Sequence, residues 1–225
     1  MNRPGLIKLI SVLFGCLLLA GCATRANYDY SAFKESRPNS ILVLPPLNSS
    51  PDVNATYSML AQATFPLAES GYYVFPVTLV DETFKQNGMT TPSEIHQIPP
   101  PKLREIFGAD AALYINVKQY GSSYTVIMSE TRVTAEGRLV DLRTGKTLWT
   151  GAATASSAEG QNNSGGGLVG LLVKAVITQI IESLSDKGHP IAGITSYRLL
   201  SAGRPGGILY GPRSPMYLKE GSPAQ

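Results

Sequence analysis

The sequence predicts a mixed α/β fold: a parallel β-α-β crossover, then an antiparallel meander, with helices packed on the sheet and an extended C-terminal arm. Three observations carry this. Ser40 to Pro46 and Tyr72 to Val77 are short aliphatic and aromatic runs on either side of a segment with helical spacing, the order that builds a parallel crossover. Thr125 to Met128, Thr131 to Leu142 and Thr147 to Ala155 are β-rich, and the last two are joined by the polar turn Arg143-Thr144-Gly145-Lys146. The aliphatic run from Leu168 to Leu184 must bury a wide apolar face, which a sheet can receive.

At the amino end, Arg3 and Lys8 precede an apolar run from Leu9 to Ala20 that contains only Ser11 as a polar residue, and Leu19-Ala20-Gly21-Cys22 follows. Charge, apolar run and small residues are the build of a signal peptide. The run is shorter than the ~20 residues a spanning helix needs. Leu-Ala-Gly-Cys resembles a lipobox, which implies cleavage before Cys22 and acylation of its sulfur and new amino group, with palmitate among the chains. Removing residues 1–21 takes away Arg3, Lys8 and Cys16. The formal charge falls from +3 to +1, and Cys22 remains as the single cysteine, itself acylated. No disulfide, redox pair or thiolate zinc site is then available. Nor is there the basic stripe of a nucleic-acid binder.

Residues 22–39 read as a lipidated tether, and its aromatics Tyr28, Tyr30 and Phe33 can pack on the domain or on the bilayer surface. Residues 40–187 read as one α/β periplasmic domain. Ile41 to Leu44 suits a strand buried on both faces, and Pro45 and Pro46 end it. Asp52 is a candidate cap for a helix over Val53 to Glu69, with a kink or early end near Phe65 because Pro66 cannot donate, and a stop at Gly71. Helical pieces are expected over Val80 to Asn87, from Thr91-Pro92-Ser93-Glu94, and over Lys102 to Phe107. Ala111 to Tyr120 alternates Leu113, Ile115 and Val117 against Tyr114, Asn116 and Lys118, which is a strand. Ser156 to Gly167 is too polar to bury and reads as a loop. In the helix after it, Gly170, Lys174, Thr178 and Glu182 form one narrow polar stripe. Its surplus apolar surface, with Val169, Leu172, Val173, Val176 and Ile180, is the expected interface of a homo-oligomer, taken as a dimer. Residues 188–225 read as a Gly/Pro-rich arm, too apolar for a plain linker, packing on the domain or on a partner.

No motif for chemistry survives inspection. Gly165 to Gly170 satisfies GxGxxG but lacks a preceding strand and a later acid, and Gly145-Lys146-Thr147 lacks the first glycine of a phosphate loop because Val140 stands there. The sequons at Asn48, Asn54 and Asn162 are explained by turns and caps. His96 and His189 lie far apart with no HExxH, and no GxSxG elbow exists. Asp81, Glu82 and Asp110 read as surface acids or caps. The expectation is therefore no catalytic residue, no metal and no cofactor.

Tyr28-Asp29-Tyr30-Ser31-Ala32-Phe33, Pro38 to Asn48 and Gly108-Ala109-Asp110-Ala111, together with the lipobox, resemble a family of bacterial lipoproteins of unknown function that includes a neisserial outer-membrane vaccine antigen. Val140-Asp141-Leu142, Thr144-Gly145-Lys146 and Leu148-Trp149 are similar to the hairpin of a wider group, the TolB amino-terminal domain and the periplasmic domain of the curli secretion lipoprotein. The resemblance implies a protein held in the outer membrane by acyl chains on Cys22, its domain in the periplasm or exposed at the cell surface. It implies an accessory or scaffold of a trans-envelope transport or secretion complex, with other envelope lipoproteins or a secretion pore as partners and no nucleic acid. The alternative is a ligand-binding module for a cell-envelope component, its crevice lying beyond Leu44-Pro45-Pro46 at the carboxyl ends of the parallel strands.

Overall fold

The structure, a computed structural model, describes residues 28–124, 129–159 and 186–219. Its strands are β1 (Ser40–Val43), β2 (Leu47–Asn48), β3 (Tyr73–Val74), β4 (Ala111–Tyr124), β5 (Ser129–Asp141) and β6 (Thr147–Ser156). They form one six-stranded sheet in the order β3-β1-β4-β5-β6, with β2 paired to β4 beyond the end of β1. The β3-β1-β4 portion is parallel and β4-β5-β6 is antiparallel, so the crossover and the meander share β4. The helices are α1 (Ser31–Ser36), α2 (Ala55–Glu69), α3 (Val77–Gln86), α4 (Pro92–Ile95), α5 (Pro100–Phe107) and α6 (Gly188–Leu200).

Alternation along the strands sends side chains into two cores. On one face Ile41, Leu113, Ile115, Val133, Leu139 and Trp149 meet Met59, Ala63 and Leu67 of α2 and Ile191, Ala192 and Leu199 of α6. On the other, Leu42, Leu44, Ala112, Tyr114, Val140 and Leu142 meet Val80 and Phe84 of α3, Ile95 of α4 and Leu103 of α5. A register shift between Val117 and Gln119 inserts an extra residue, leaving Lys118 and Gln119 both exposed and returning Tyr120 to the first core.

Several elements differ from the expectation. The helix over 53–69 runs through Pro66 without ending at Phe65. Pro66 lies in the last turn, where the lost donor breaks one bond, and its ring is buried beside Ala63 and Leu67. Ser70 then closes the helix by donating its N–H and its hydroxyl to the Pro66 carbonyl. The strand expected over Tyr72 to Val77 shrinks to β3, because the Pro76 carbonyl accepts from Leu79 and Val80 and starts α3 three residues early. After Pro45 and Pro46 the chain resumes parallel pairing as β2, Leu47 opposite Asn116 and Asn48 opposite Val117.

The largest correction concerns residues 188–225: Gly188–Leu200 is a helix, and the segment is extended and turn-rich only after it. Its glycines and proline look like breakers in sequence but serve packing. Pro190 sits in the first turn, where a missing donor costs little. A Cβ at Gly188 would lie 2.4 Å from the Tyr120 ring, so glycine is what lets α6 approach β4. Further on, Gly211 and Arg213 donate to the carbonyls of Ser70 and Gly71, and Ile208 is buried in the first core. At the other terminus, part of the segment read as tether is folded onto the domain: Phe33 is buried, with Tyr28 and Tyr30 packed against it. Cys22, the 168–184 run and its five named interface residues lie outside the described residues.

Candidate functional site

Strands β4, β5 and β6 run well past the four-residue β1 and two-residue β3, and α3, α4 and α5 cover only the near end of the second face. Beyond Tyr114 no helix among the described residues covers that face. A cavity of about 500 Å³ occupies the boundary, floored by Asn116, Ala152 and the backbone at Gly137 and Gly151, and rimmed by Leu47, His96, Arg138 and Glu136. Register places Tyr114, Arg138 and Thr150 in one cross-strand row, and Asn116, Glu136 and Ala152 in the next.

His96 and Arg138 flank the Tyr114 ring. The imidazole meets it edge-on at 5.2 Å between centroids, and the guanidinium lies 4.6 Å from its centroid. The Pro45 carbonyl can only accept, so His96 Nε2, 2.9 Å away, carries the hydrogen. Burial drives the His96 pKa below the ordinary value, the bond to Pro45 opposes it, and the Arg138 charge adds to it. Its Nδ1 is thus an acceptor on a neutral ring. Burial likewise raises the Tyr114 phenol. Arg138 has no acidic partner among the described residues, whereas Glu136 pairs with Lys118 at 3.2 Å. Asn116 accepts from the Ser49 hydroxyl at 3.0 Å, which leaves its amide nitrogen available. These groups can recognise charge and hydrogen-bonding partners; none is an activated nucleophile.

The two histidines are not brought together. His189 sits between α2 and α6 in a relay that holds structure. Gln62 Nε2 donates to its Nε2 at 2.9 Å, so Nδ1 donates to Ser58 Oγ at 2.8 Å. Tyr120 has one phenolic proton and directs it to the Asp186 carboxylate at 2.8 Å, so the Ser58 hydroxyl, 2.9 Å from Tyr120, supplies the link between them. A serine that accepts a hydrogen bond from an imidazole N–H is not being activated by it. Asp110 accepts from the backbone of Asn39 and Ser40 and from the Ser40 hydroxyl, tying the start of β1 to that of β4. Asp81 pairs with Lys85 at 2.6 Å, and Glu82 accepts from Gln86. Among the described residues no group of three or more His, Cys, Asp or Glu gathers as metal ligands, and no helix is long and apolar enough to cross a membrane.

The crevice expected beyond Leu44-Pro45-Pro46 is partly filled by β2, and the cavity opens beside it with His96 bonded to Pro45. Arg138, Glu136, Thr150 and Ala152 were not foreseen as its lining. The signal was nevertheless present, since Arg132, Thr134, Glu136 and Arg138 alternate with Val133, Ala135, Gly137 and Leu139. Strict alternation on a long central strand means that one face stays uncovered.

A sequence profile of the family described as "Putative lipoprotein GNA1162-like" matches residues 28–213, which takes in the whole sheet and its helices. The chain belongs to the GNA1162-like lipoprotein family. It is 53% identical over 207 residues to the lipoprotein NMB1124/NMB1162 of Neisseria meningitidis serogroup B, covering 91% of this chain and 95% of that one. The crystal structure of lipoprotein GNA1162 from Neisseria meningitidis superimposes with a TM-score of 0.53 at 58% identity, covering 65% of this chain and 100% of that one. A PelC dodecamer from Paraburkholderia phytofirmans matches at 15% identity with a TM-score of 0.38, over 53% of this chain and 73% of that one, too remote to bear on function. Within the GNA1162-like lipoproteins, then, this member presents a sheet that its described helices cover by half on one face, with a polar cavity at the edge of the covered part.

Proposed function

We propose that this GNA1162-like lipoprotein is a lipid-anchored accessory of a trans-envelope transport or secretion complex, acting by protein-protein contact through the open half of its sheet. The observation that carries the reading is that face: β4 carries Asn116 and Lys118 and β5 carries Glu136 and Arg138, beside a cavity lined by three strands of the sheet. In this reading Cys22 carries the acyl anchor in the outer membrane, and self-association as a dimer uses Val169, Leu172, Val173, Val176 and Ile180. Intact-mass measurement of the mature protein tests the first, and sedimentation of a Val169→Asp, Leu172→Asp, Val176→Asp variant tests the second.

The test of the function is cross-linking in intact envelopes followed by pull-down, comparing the natural chain with Arg138→Glu. Recovery of a second lipoprotein or a pore component by the natural chain, reduced several-fold by Arg138→Glu, supports the proposal. Equal recovery by both contradicts it. The cavity volume, within the usual ~300–1,000 Å³ of small-molecule sites, also favours a second reading as a ligand-binding module. A rise in melting temperature with a periplasmic extract freed of protein, absent in Arg138→Glu, would favour that reading.

A further inference from the structure

A second cavity, of about 250 Å³, lies between α1 and the segment after α6, lined by Phe33, Lys34, Arg37, Tyr210, Tyr217 and Leu218 among others. Among the described residues only two that are not glycine have positive φ, Arg37 at 45° and Leu218 at 61°, and both line this cavity. At Arg37 this conformation is the left-handed cap that ends α1, its N–H donating to the Phe33 carbonyl. Arg37 donates Nε to the Lys34 carbonyl at 3.0 Å, closing the end of α1 and leaving the rest of its guanidinium for another partner. Neither Lys34 nor Arg37 has an acidic partner among the described residues, because Glu35 between them pairs with Lys146. The segment that forms the other wall also carries, outside the cavity lining, Arg213 over the Tyr73 ring at 5.5 Å and Lys219, neither with an acidic partner among the described residues, and exposes Met216 (46%) and Leu218 (64%). Cations without acidic partners among the described residues, beside exposed aliphatic side chains and tyrosines, are the composition of a surface that meets an anionic bilayer.

The position of the anchor agrees. Tyr28 is pinned where its hydroxyl accepts from the Thr150 N–H at 2.8 Å, and α1 begins at Ser31. Five residues separate Tyr28 from Cys22, and the six Cα steps between them reach at most about 20 Å. An acyl chain on Cys22 therefore keeps Tyr28, three residues before α1, within that distance of the lipidated residue, and this part of the inference rests on acylation as proposed above. We propose that the α1 cavity docks the headgroup phosphate of an anionic phospholipid from the anchoring leaflet. Lys34 and Arg37 hold the phosphate, and Tyr210, Tyr217 and Leu218 lie against the start of the acyl chains. The domain is thereby seated on the membrane in one orientation, leaving the anchor with less to do than a bare tether would require.

Vesicle flotation of the unacylated mature chain, residues 22–225 with Cys22→Ala, tests this without interference from the anchor. Binding is expected to vesicles of phosphatidylethanolamine with phosphatidylglycerol and not to phosphatidylcholine alone, weakening on raising salt from 0.1 M to 0.5 M. Lys34→Gln and Arg37→Gly should each weaken binding about fivefold. Arg37→Gly removes the αL strain along with the charge, so its melting temperature should hold or rise, which separates lost binding from lost folding. Equal affinity for both vesicle types, or undiminished binding by the double variant, overturns the proposal. So does competition by inorganic phosphate at millimolar concentration, which would assign the site to a soluble anion. The pull-down that tests the open sheet face is unaffected by any of these outcomes.

Discussion

Asp141 is the acid that binds separate segments together. It is 1% exposed and accepts from the Ser36 hydroxyl of α1, from the backbone of Arg143 and Thr144, and from the Thr144 hydroxyl. Burial by itself raises a carboxyl pKa, but the donors from Ser36, Thr144 and Arg143 outweigh it and draw Asp141 down to about 2. Between that value and the ~3.9 of an unfolded Asp, the unfolded chain binds more protons, so this stability is complete above the unfolded value and lost as pH falls toward 2. Asp141→Asn should cost about 2 kcal/mol near neutral pH, from weakened charge-assisted bonds, and should flatten that part of the acid dependence. Urea midpoints at pH 6 and pH 3 check it: the natural chain should lose more than the variant, and equal losses would refute the assignment. His96 titrates the other way round from a paired histidine. Its folded pKa lies below ~6.5, so its contribution is complete above that value and is lost as pH falls through the folded pKa. NMR titration should find that value raised in Arg138→Gln, since the Arg138 charge is one of its causes. In sequence, neither role could be read: Asp141 stands out only as part of the Val140-Asp141-Leu142 hairpin resemblance, and His96 meets Pro45 across 51 positions of chain.

The elements were legible where a local pattern and the tertiary environment agree. The alternation in β4, the Arg143 to Lys146 turn with Gly145 at φ 72°, and the Thr91/Glu94 capping box before α4 are all local. They were misread where packing overrides propensity. The first helical turn of α6 contains Gly188 and Pro190, and its helical phase shows only when Ile191, Thr195 and Leu199 are seen to share a buried face. The edge strand β6 depends on a similar long-range fit. The Thr150 N–H is taken by Tyr28, the Thr154 carbonyl by Arg198 and the Ser156 N–H by Glu159, so much of its outward row is occupied by side chains rather than left to pair. Trp149, the single tryptophan, lies across Gly151 and donates Nε1 to the Gly206 carbonyl at 2.9 Å. A Cβ at Gly151 would sit 2.2 Å from its ring. Gly151→Ala should therefore displace the indole, break the bond to Gly206 and destabilise the fold by about 1–3 kcal/mol. A red-shifted tryptophan emission with a lower melting temperature checks it, and an unchanged spectrum would mean that the ring is not seated there.

For the whole molecule, parallel and antiparallel halves were readable because each has its own connection signature, a helix between parallel strands and a tight turn between antiparallel ones. The uncovered face was not, because it arises from a mismatch in lengths: β4 to β6 outrun the described helices that pack on it. No residue type announces that. The consequence, among the described residues, is a sheet with two unlike ends, one covered on both faces and one uncovered on a face that carries the Lys118–Glu136 ion pair and Arg138. The central claim is that this open face meets another envelope protein, and site-specific photo-crosslinking in living cells tests it most directly. A benzophenone side chain at Ala152, on the cavity floor, should form an adduct with a second envelope protein that Arg138→Glu suppresses, whereas the same group at Gln86, exposed on α3, should form none. Adducts from Gln86 and none from Ala152, or an Ala152 adduct indifferent to Arg138→Glu, would contradict it.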